Sequence, residues 1–240
     1  MGFGPKYRGL QELMLMVDLA CTTRIAARAL GRAGLVHAYG HCSARVDQES
    51  FLVCPSVPME HVEVGATCPV VPVTGPLPDG VLGEVRLHQQ IYARRPNAGG
   101  VVRFMGPNLM ALAALGRVPK IRHGFGTYFT SAVGYWDDIQ LVRDDERAVG
   151  VIDAMGDSAG VIMRGNGAVV AGTTLPEAVG LAWYLEDMCR VELAALAANL
   201  PDAPIIHTAQ AEMRATRQGR IFERMWDYLS YGDPELPNLN

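Results

Sequence analysis

Residues 160–199 constrain the fold more than any other stretch of this 240-residue chain. Two apolar runs, 160–163 and 168–171, flank Arg164-Gly165-Asn166-Gly167, whose glycines supply the backbone freedom a tight reversal needs. Thr174-Leu175-Pro176-Glu177 follows at once, a capping box with proline inside the first helical turn. Behind it Ala178, Leu181, Leu185, Met188 and Leu193 recur at helical spacing to about residue 199. A strand–turn–strand unit that runs straight into a long amphipathic helix has one apolar face to pair and another to cover. Such a unit belongs in a sheet carrying helices, an α/β arrangement.

The rest of the chain repeats this alternation. Helical spacing over 9–30 stops at Gly31 and Gly34, and Phe51–Cys54 reads as a short buried strand closed by Pro55. Prolines and glycines break 55–82 into brief strands and turns. A second helix over 83–94 puts Glu84, Leu87, His88 and Ile91 on one face and ends at Arg95-Pro96. Residues 101–105 alternate as a strand, with Val101, Arg103 and Met105 on one side and Val102 and Phe104 on the other. A helix from Pro107 to about 115, a loop-rich stretch over 119–136 and a polar helix over 143–155 complete the pattern. The tail beyond 201 is more polar, and its last nine residues are expected to fray. No repeat, linker or composition break appears. One domain over 1–240 is therefore expected, with 201–240 as an extension.

Composition narrows the function classes. With 49% apolar and 19% charged residues the chain reads as globular, and a net charge of −4 leaves no electrostatic footprint for nucleic acid. No apolar run reaches the roughly 18 residues of a membrane span, and MGFGPKYRGL lacks the layout of a signal peptide. The five cysteines are odd in number and scattered, which fits free thiols in a reducing cytoplasm.

Three segments, in order, resemble the class II aldolase/adducin family. They are Gly40-His41-Cys42-Ser43-Ala44-Arg45 ahead of Pro55-Ser56, then Gly83-Glu84-Val85-Arg86-Leu87-His88-Gln89-Gln90-Ile91-Tyr92 with Arg95-Pro96, and finally Arg164-Gly165-Asn166-Gly167 ahead of Leu175-Pro176-Glu177-Ala178. The resemblance covers most of 10–198. It implies a three-layer fold with a central, mostly antiparallel sheet flanked by helices, and by analogy a homotetramer with its active site between subunits. The family holds a divalent metal with a His-x-His and the His of Arg-Gly-His-Gly. Those positions here read Arg103, Met105 and Asn166: a permanent cation, a soft thioether and a weak amide ligand. The resemblance therefore implies no metal and no other cofactor. A site rebuilt from His41, His88 or His123 is the lesser alternative, without a His-x-His or His-Glu-x-x-His spacing to support it. Leu82-Gly83 before the Glu, Val57 and His41 also depart from the family's phosphate cradle, which argues against sugar phosphates.

What survives points to an acid or base beside a fixed cation. Glu84 stands where the family keeps its general acid/base, His88 lies one turn on, and Arg103 replaces the metal as the positive group. The wider pattern is similar to a branch that decarboxylates dihydroxyphthalate and ring-cleavage products in aromatic-acid degradation. The expected function is then a metal-independent decarboxylase of a small aromatic or dienoic carboxylic acid. Its expected catalytic residues are Glu84, Arg103, His88 and His41. Expected around the substrate are Ser43, Arg45, Ser56, His123, Tyr128, Arg164 (second choice, after Arg103, as the carboxylate clamp) and Asn166. The proton is expected from Glu84 in apolar surroundings or from a histidinium. A retro-aldol lyase or isomerase, and a non-catalytic adducin-like binding module, are the rival readings. Each residue also has a plain structural reading: Arg103 must find a carboxylate such as Glu84, His88 sits on a core-facing helix, and Gly-Asn-Gly is good turn chemistry in itself.

Overall fold

A computed structural model describes the backbone of residues 5–236 and the side chains of Met14 and of residues 16–236. Among the described residues seven strands form one sheet: β1 (His41–Arg45), β2 (Ser50–Val53), β3 (Val70–Pro72), β4 (Gly100–Phe104), β5 (Gly134–Trp136), β6 (Gly160–Met163) and β7 (Ala168–Gly172). Their order is β3-β2-β1-β4-β7-β6-β5, antiparallel throughout except for the parallel β5–β6 pair. The helices are α1 (Pro5–Arg32), α2 (Arg86–Arg94), α3 (Pro107–Ala114), α4 (Asp145–Met155), α5 (Leu175–Ala197), α6 (Thr208–Arg214) and α7 (Ile221–Ser230). Among the described residues no helix is long and apolar enough to cross a membrane, and all five cysteines are free.

The alternation along each central strand divides the core into two layers. Val102, Phe104, Ile162, Ala168 and Val170 pack with α1, α3 and α5. Val101, Val161, Met163 and Val169 pack with α2 and α4 on the other face. This is the expected three-layer α/β arrangement. Arg103 falls on the α2 face because it is two residues from Val101, which places a cation where its neighbours are apolar.

Several local expectations are corrected. Helix α1 runs through Gly31 to Arg32, and that glycine answers a packing need: an added Cβ would lie 2.6 Å from the Glu60 Cβ. The second helix opens with a 3-10 turn at Gly83–Val85, and β4 stops before Met105, whose N–H bonds the Leu35 carbonyl at 3.0 Å. Thr174 caps α5 as expected, accepting from Glu177 N–H at 3.2 Å. The Glu177 carboxylate, however, takes the N–H of Thr173 at 2.9 Å instead of completing the box on Thr174. The tail is held rather than frayed: it forms α6 and α7, and Asp233 and Glu235 dock onto three arginines of α1. The expected fraying of residues 237–240 lies outside the described residues.

Candidate active site

A cavity of about 620 Å³ opens where several strands end. Its wall includes His41 at the start of β1, Ser56-Val57-Pro58, Leu82-Gly83-Glu84, Arg103 near the end of β4 and Met105 just after it, Leu141 with Arg143, and Gly165-Asn166. The polar floor is a closed ring of three side chains. Arg103 Nη2 donates to Asn166 Oδ1 at 2.6 Å and lies 3.1 Å from Glu84 Oε2, while Asn166 Nδ2 donates to Glu84 Oε1 at 3.2 Å. The tight turn between β6 and β7 makes the third member possible. Gly165 and Gly167 take φ of 64° and 79°, and a Cβ on Gly167 would lie 2.1 Å from the Phe104 carbonyl oxygen. The turn is thereby drawn against β4, and Asn166 is only 4% exposed despite its place between two glycines.

Burial lowers the Arg103 guanidinium from its ordinary range, and Glu84 opposes that shift. A guanidinium remains charged under such conditions, so the ring is an ion pair braced by an amide. Glu84 therefore has a cation against it, not the apolar surroundings expected from its neighbours in sequence. Arg103 Nε and His41 Nε2 are both buried without a hydrogen-bond partner. Arg143 lines the mouth with an exposed side chain.

Behind the wall runs a second polar system. His41 Nδ1 lies 2.8 Å from His88 Nε2, and His88 Nδ1 lies 2.6 Å from Ser43 Oγ. Ser43 Oγ lies 2.9 Å from the Tyr92 hydroxyl, which donates to the Ser43 carbonyl at 3.1 Å. Burial pushes His88 down to about 3, helped by the Arg103 charge. Burial also holds His41 well below the usual histidine range, with His88 and then Arg103 adding to it. Burial thus opposes a positive charge on either ring, which weighs against the expected histidinium donor.

A stability consequence follows from these directions. An unfolded histidine takes up a proton near pH 6.5, whereas folded His88 refuses it until about pH 3. The unfolded state therefore binds more protons inside that window. Stability is complete above it and falls as pH drops, by up to about 1.4 kcal/mol per pH unit for each such histidine. Urea unfolding followed between neutral pH and about pH 5 is expected to show this slope, and His88→Gln to flatten it by one proton. Equal slopes in the two proteins would contradict neutral burial.

Five expected site residues meet at the cavity: Glu84, Arg103, Asn166, His41 and Ser56. His88 and Ser43 stand behind it. The others go elsewhere. The Arg45 guanidinium binds the carbonyls of Ala98, Tyr92 and Arg95 and sits over the Tyr92 ring, tying β1 to α2. Arg164, the second choice for the clamp, is exposed, pairs with Asp137 at 2.9 Å and is not among the residues lining the cavity. Tyr128 lines a separate cavity beside Tyr184 and Met225 and donates to the Thr216 carbonyl. His123 Nε2 stands 3.4 Å from Asp187 Oδ2, close enough for an ion pair but without hydrogen-bond geometry. Sequence reasoning missed Tyr92 and Arg143. The Tyr92 spacing, four residues after His88, carried the first signal; nothing local marks Arg143.

The family model for the class II aldolase and adducin N-terminal domain matches residues 24–193. A protein of Arthrobacter keyseri named 3,4-dihydroxyphthalate decarboxylase is 29% identical over 202 residues, covering 75% of this chain and 81% of that one. Beta-adducin of Rattus norvegicus is 23% identical over 227 residues, which are 87% of this chain but only 29% of the relative. Among solved structures, an aldolase II superfamily protein from Pseudomonas syringae superposes with a TM-score of 0.72 at 22% identity, covering 88% of this chain and 90% of that chain. The last similarity bears on the fold alone.

Proposed function

Because the chain belongs to the class II aldolase and adducin family, we propose that it is a carbon–carbon lyase that removes carbon dioxide from a small aromatic or dienoic carboxylic acid. The observation that carries this reading is the ring of Arg103, Glu84 and Asn166 on the cavity floor. The similarity to proteins named 3,4-dihydroxyphthalate decarboxylase supports it.

The divalent metal implied by the family does not suit these residues. Arg103 brings a positive charge to the spot, the Met105 thioether is a poor partner for a hard Lewis acid, and the Asn166 oxygen is already bonded by Arg103. The mechanism is accordingly written with this chain's own groups. Arg103 and, at the mouth, Arg143 attract substrate carboxylates, while Leu82, Val57 and Leu141 flank a flat ring. The bond between the ring carbon and its carboxylate breaks, and the electron pair returns to that carbon as carbon dioxide leaves. A proton must replace the lost group. Glu84, the one carboxyl group among the described residues lining the cavity, carries that proton in from solvent.

The test is carbon dioxide release from a panel of dihydroxybenzoic and phthalic acids. Wild type is expected to turn over at least one of them, with Glu84→Gln slower by about 10²-fold or more. Elemental analysis of protein purified without chelator is expected to find well under one zinc, manganese or iron per chain; one tightly held ion would overturn the metal-free mechanism. The similarity to beta-adducin favours a second reading, a binding module without catalysis. Failure of the whole panel, with no loss of carbon dioxide from any acid, would favour that module.

A further inference from the structure

Three of the cysteines stand side by side across the β1–β2–β3 edge of the sheet. β1 and β2 pair Ser43 with Val53, so Cys42 opposes Cys54, and the Cys54 N–H donates to the Cys42 carbonyl at 2.9 Å. β2 and β3 pair Leu52 with Val70, and the Val53 N–H continues that register onto the Pro69 carbonyl at 3.0 Å. Cys68 thereby opposes Cys54 from the other side. The strand period of two turns all three thiols toward α1, where Cys42 Sγ and Cys68 Sγ lie 3.6 and 3.7 Å from the Thr23 and Ala20 carbonyls. All three are buried, and the cavity chemistry uses none of them.

The two neighbours of Cys54 are not equivalent. Cys42 faces it as a hydrogen-bonded pair, whose Cα atoms stand about 5.5 Å apart, a separation common among disulfides. Cys68 faces it as the next non-hydrogen-bonded pair, at about 4.5 Å, the short limit for a bridge. The Cys42 N–H also donates to Cys54 Sγ at 3.4 Å, so the central sulfur is already turned to β1. Hydrogen bonding from the Cys42 thiol draws Cys54 below the ordinary thiol range against the cost of burial. Burial instead pushes Cys68 up to about 11. Cys54 is thus the member of the row that gives a thiolate, and Cys42 is the thiol beside it.

We propose that Cys54 and Cys42 are a reversible dithiol–disulfide pair, a site of oxidation by hydroperoxides whose state is felt at the cavity wall. The Cys54 thiolate attacks one oxygen of the peroxide, the O–O bond breaks, and Cys54 becomes a sulfenic acid as hydroxide leaves. Cys42 then gives up its proton and attacks the sulfenic sulfur, closing the S–S bond and releasing water. Two electrons pass from the sulfurs to the peroxide, and two thiols with one hydrogen peroxide become one disulfide and two waters. A dithiol reductant reverses the step by exchange. Opposed Cβ atoms stand about 5 Å apart and those of a disulfide about 3.8 Å, so closure draws the ends of β1 and β2 together. His41 immediately precedes Cys42, Ser56 follows two residues after Cys54, and both line the cavity. The pair stands apart from the decarboxylase reading and does not depend on it.

The test treats folded, reduced protein with stoichiometric hydrogen peroxide, then unfolds it in an alkylating agent and maps the peptides by mass spectrometry. Two of the five thiols are expected to be lost, joined as Cys42–Cys54, and dithiothreitol is expected to restore both. Cys68→Ala is expected to form the same bridge, while Cys42→Ala and Cys54→Ala do not form it. Circular dichroism during the treatment checks that oxidation takes place in the folded state. The bridge is mapped in wild type, so the result rests on no variant's folding. Five free thiols after treatment, or a bridge through Cys68 or Cys21, overturns the pair. In ¹⁵N-histidine-labelled protein, with His41→Gln to assign the signal, oxidation is expected to shift His41 and reduction to return it, while the exposed His207 stays in place. A Cys42–Cys54 bridge that leaves His41 unmoved overturns the link to the cavity. Bridge and shift as stated, with no carbon dioxide from any acid, would support this inference while defeating the decarboxylase reading.

Discussion

Arg103→Ala is expected to lower kcat/KM for decarboxylation by about 10³-fold and to cost roughly 3–5 kcal/mol of stability. Both effects have one origin. Arg103 is 2% exposed and holds Glu84 and Asn166 together, so truncation leaves a carboxylate without its cation and an amide oxygen without its donor, in a place water reaches poorly. On the proposed decarboxylase reading, the substrate carboxylate loses its buried guanidinium in the same step. Arg103→Lys keeps the charge but not the planar fork that serves Glu84 and Asn166 together, so it falls between wild type and alanine. Carbon dioxide release, paired with urea unfolding, separates the two roles. A variant that unfolds earlier yet keeps full activity per folded molecule makes the ring structural only, and one unchanged in both assays puts the site elsewhere.

The parts of this site legible in the sequence share a property: their partners are announced by local pattern. Arg103 stood out because a strand of apolar residues cannot bury a cation without a carboxylate, and Glu84 was that carboxylate. The turn Arg164-Gly165-Asn166-Gly167 was readable as a turn, but not the inward aim of Asn166, which depends on how closely Gly167 lets the hairpin approach the end of β4. The histidines show the opposite limit. Their spacing placed His88 on the α2 face, yet their charge depends on burial beneath β1 and on Arg103, neither of which the linear order shows. Arg45, Arg164, His123 and Tyr128 fell in or near family-like segments and were misplaced for a related reason. Sequence proximity to a motif sets the element, while the direction of a long side chain is set by which carbonyl or carboxylate lies within its reach. The two-layer core was legible from the period-2 strands. The parallel pairing of β5 with β6 was not, because its three residues sit in a stretch that reads as loop.

The C-terminal strap was the least legible part, and it carries the largest stability effect expected outside the site. Asp233 accepts from Arg28 Nε at 2.9 Å, Arg28 Nη2 at 2.7 Å and Arg32 Nη1 at 3.0 Å. Glu235 accepts from Arg24 Nε at 2.9 Å and from Arg28 Nη2 at 2.7 Å. These partners lie some 200 residues away in sequence, so nothing in a polar, proline-containing tail announces them. The arginines are also bound to the chain after β2: Arg24 donates to the Ala66 carbonyl and Arg28 to that of Val62. The strap thus clamps α1, the 59–66 segment and its own end together. The Asp233 carboxylate is fully enclosed, and Arg28 draws its titration below the ordinary aspartate range against the opposing cost of burial. Asp233→Ala leaves Arg28 with one carboxylate instead of two and Arg32 without its partner, which costs roughly 3–5 kcal/mol. For a chain of this size that is a fall in Tm of about 10 °C. Asp233→Asn keeps the shape but not the charge and is expected to lose nearly as much, because a neutral amide cannot compensate buried guanidinium. Thermal unfolding followed by circular dichroism decides it: a Tm within a degree of wild type for both variants would mean the strap rests on α1 without holding it.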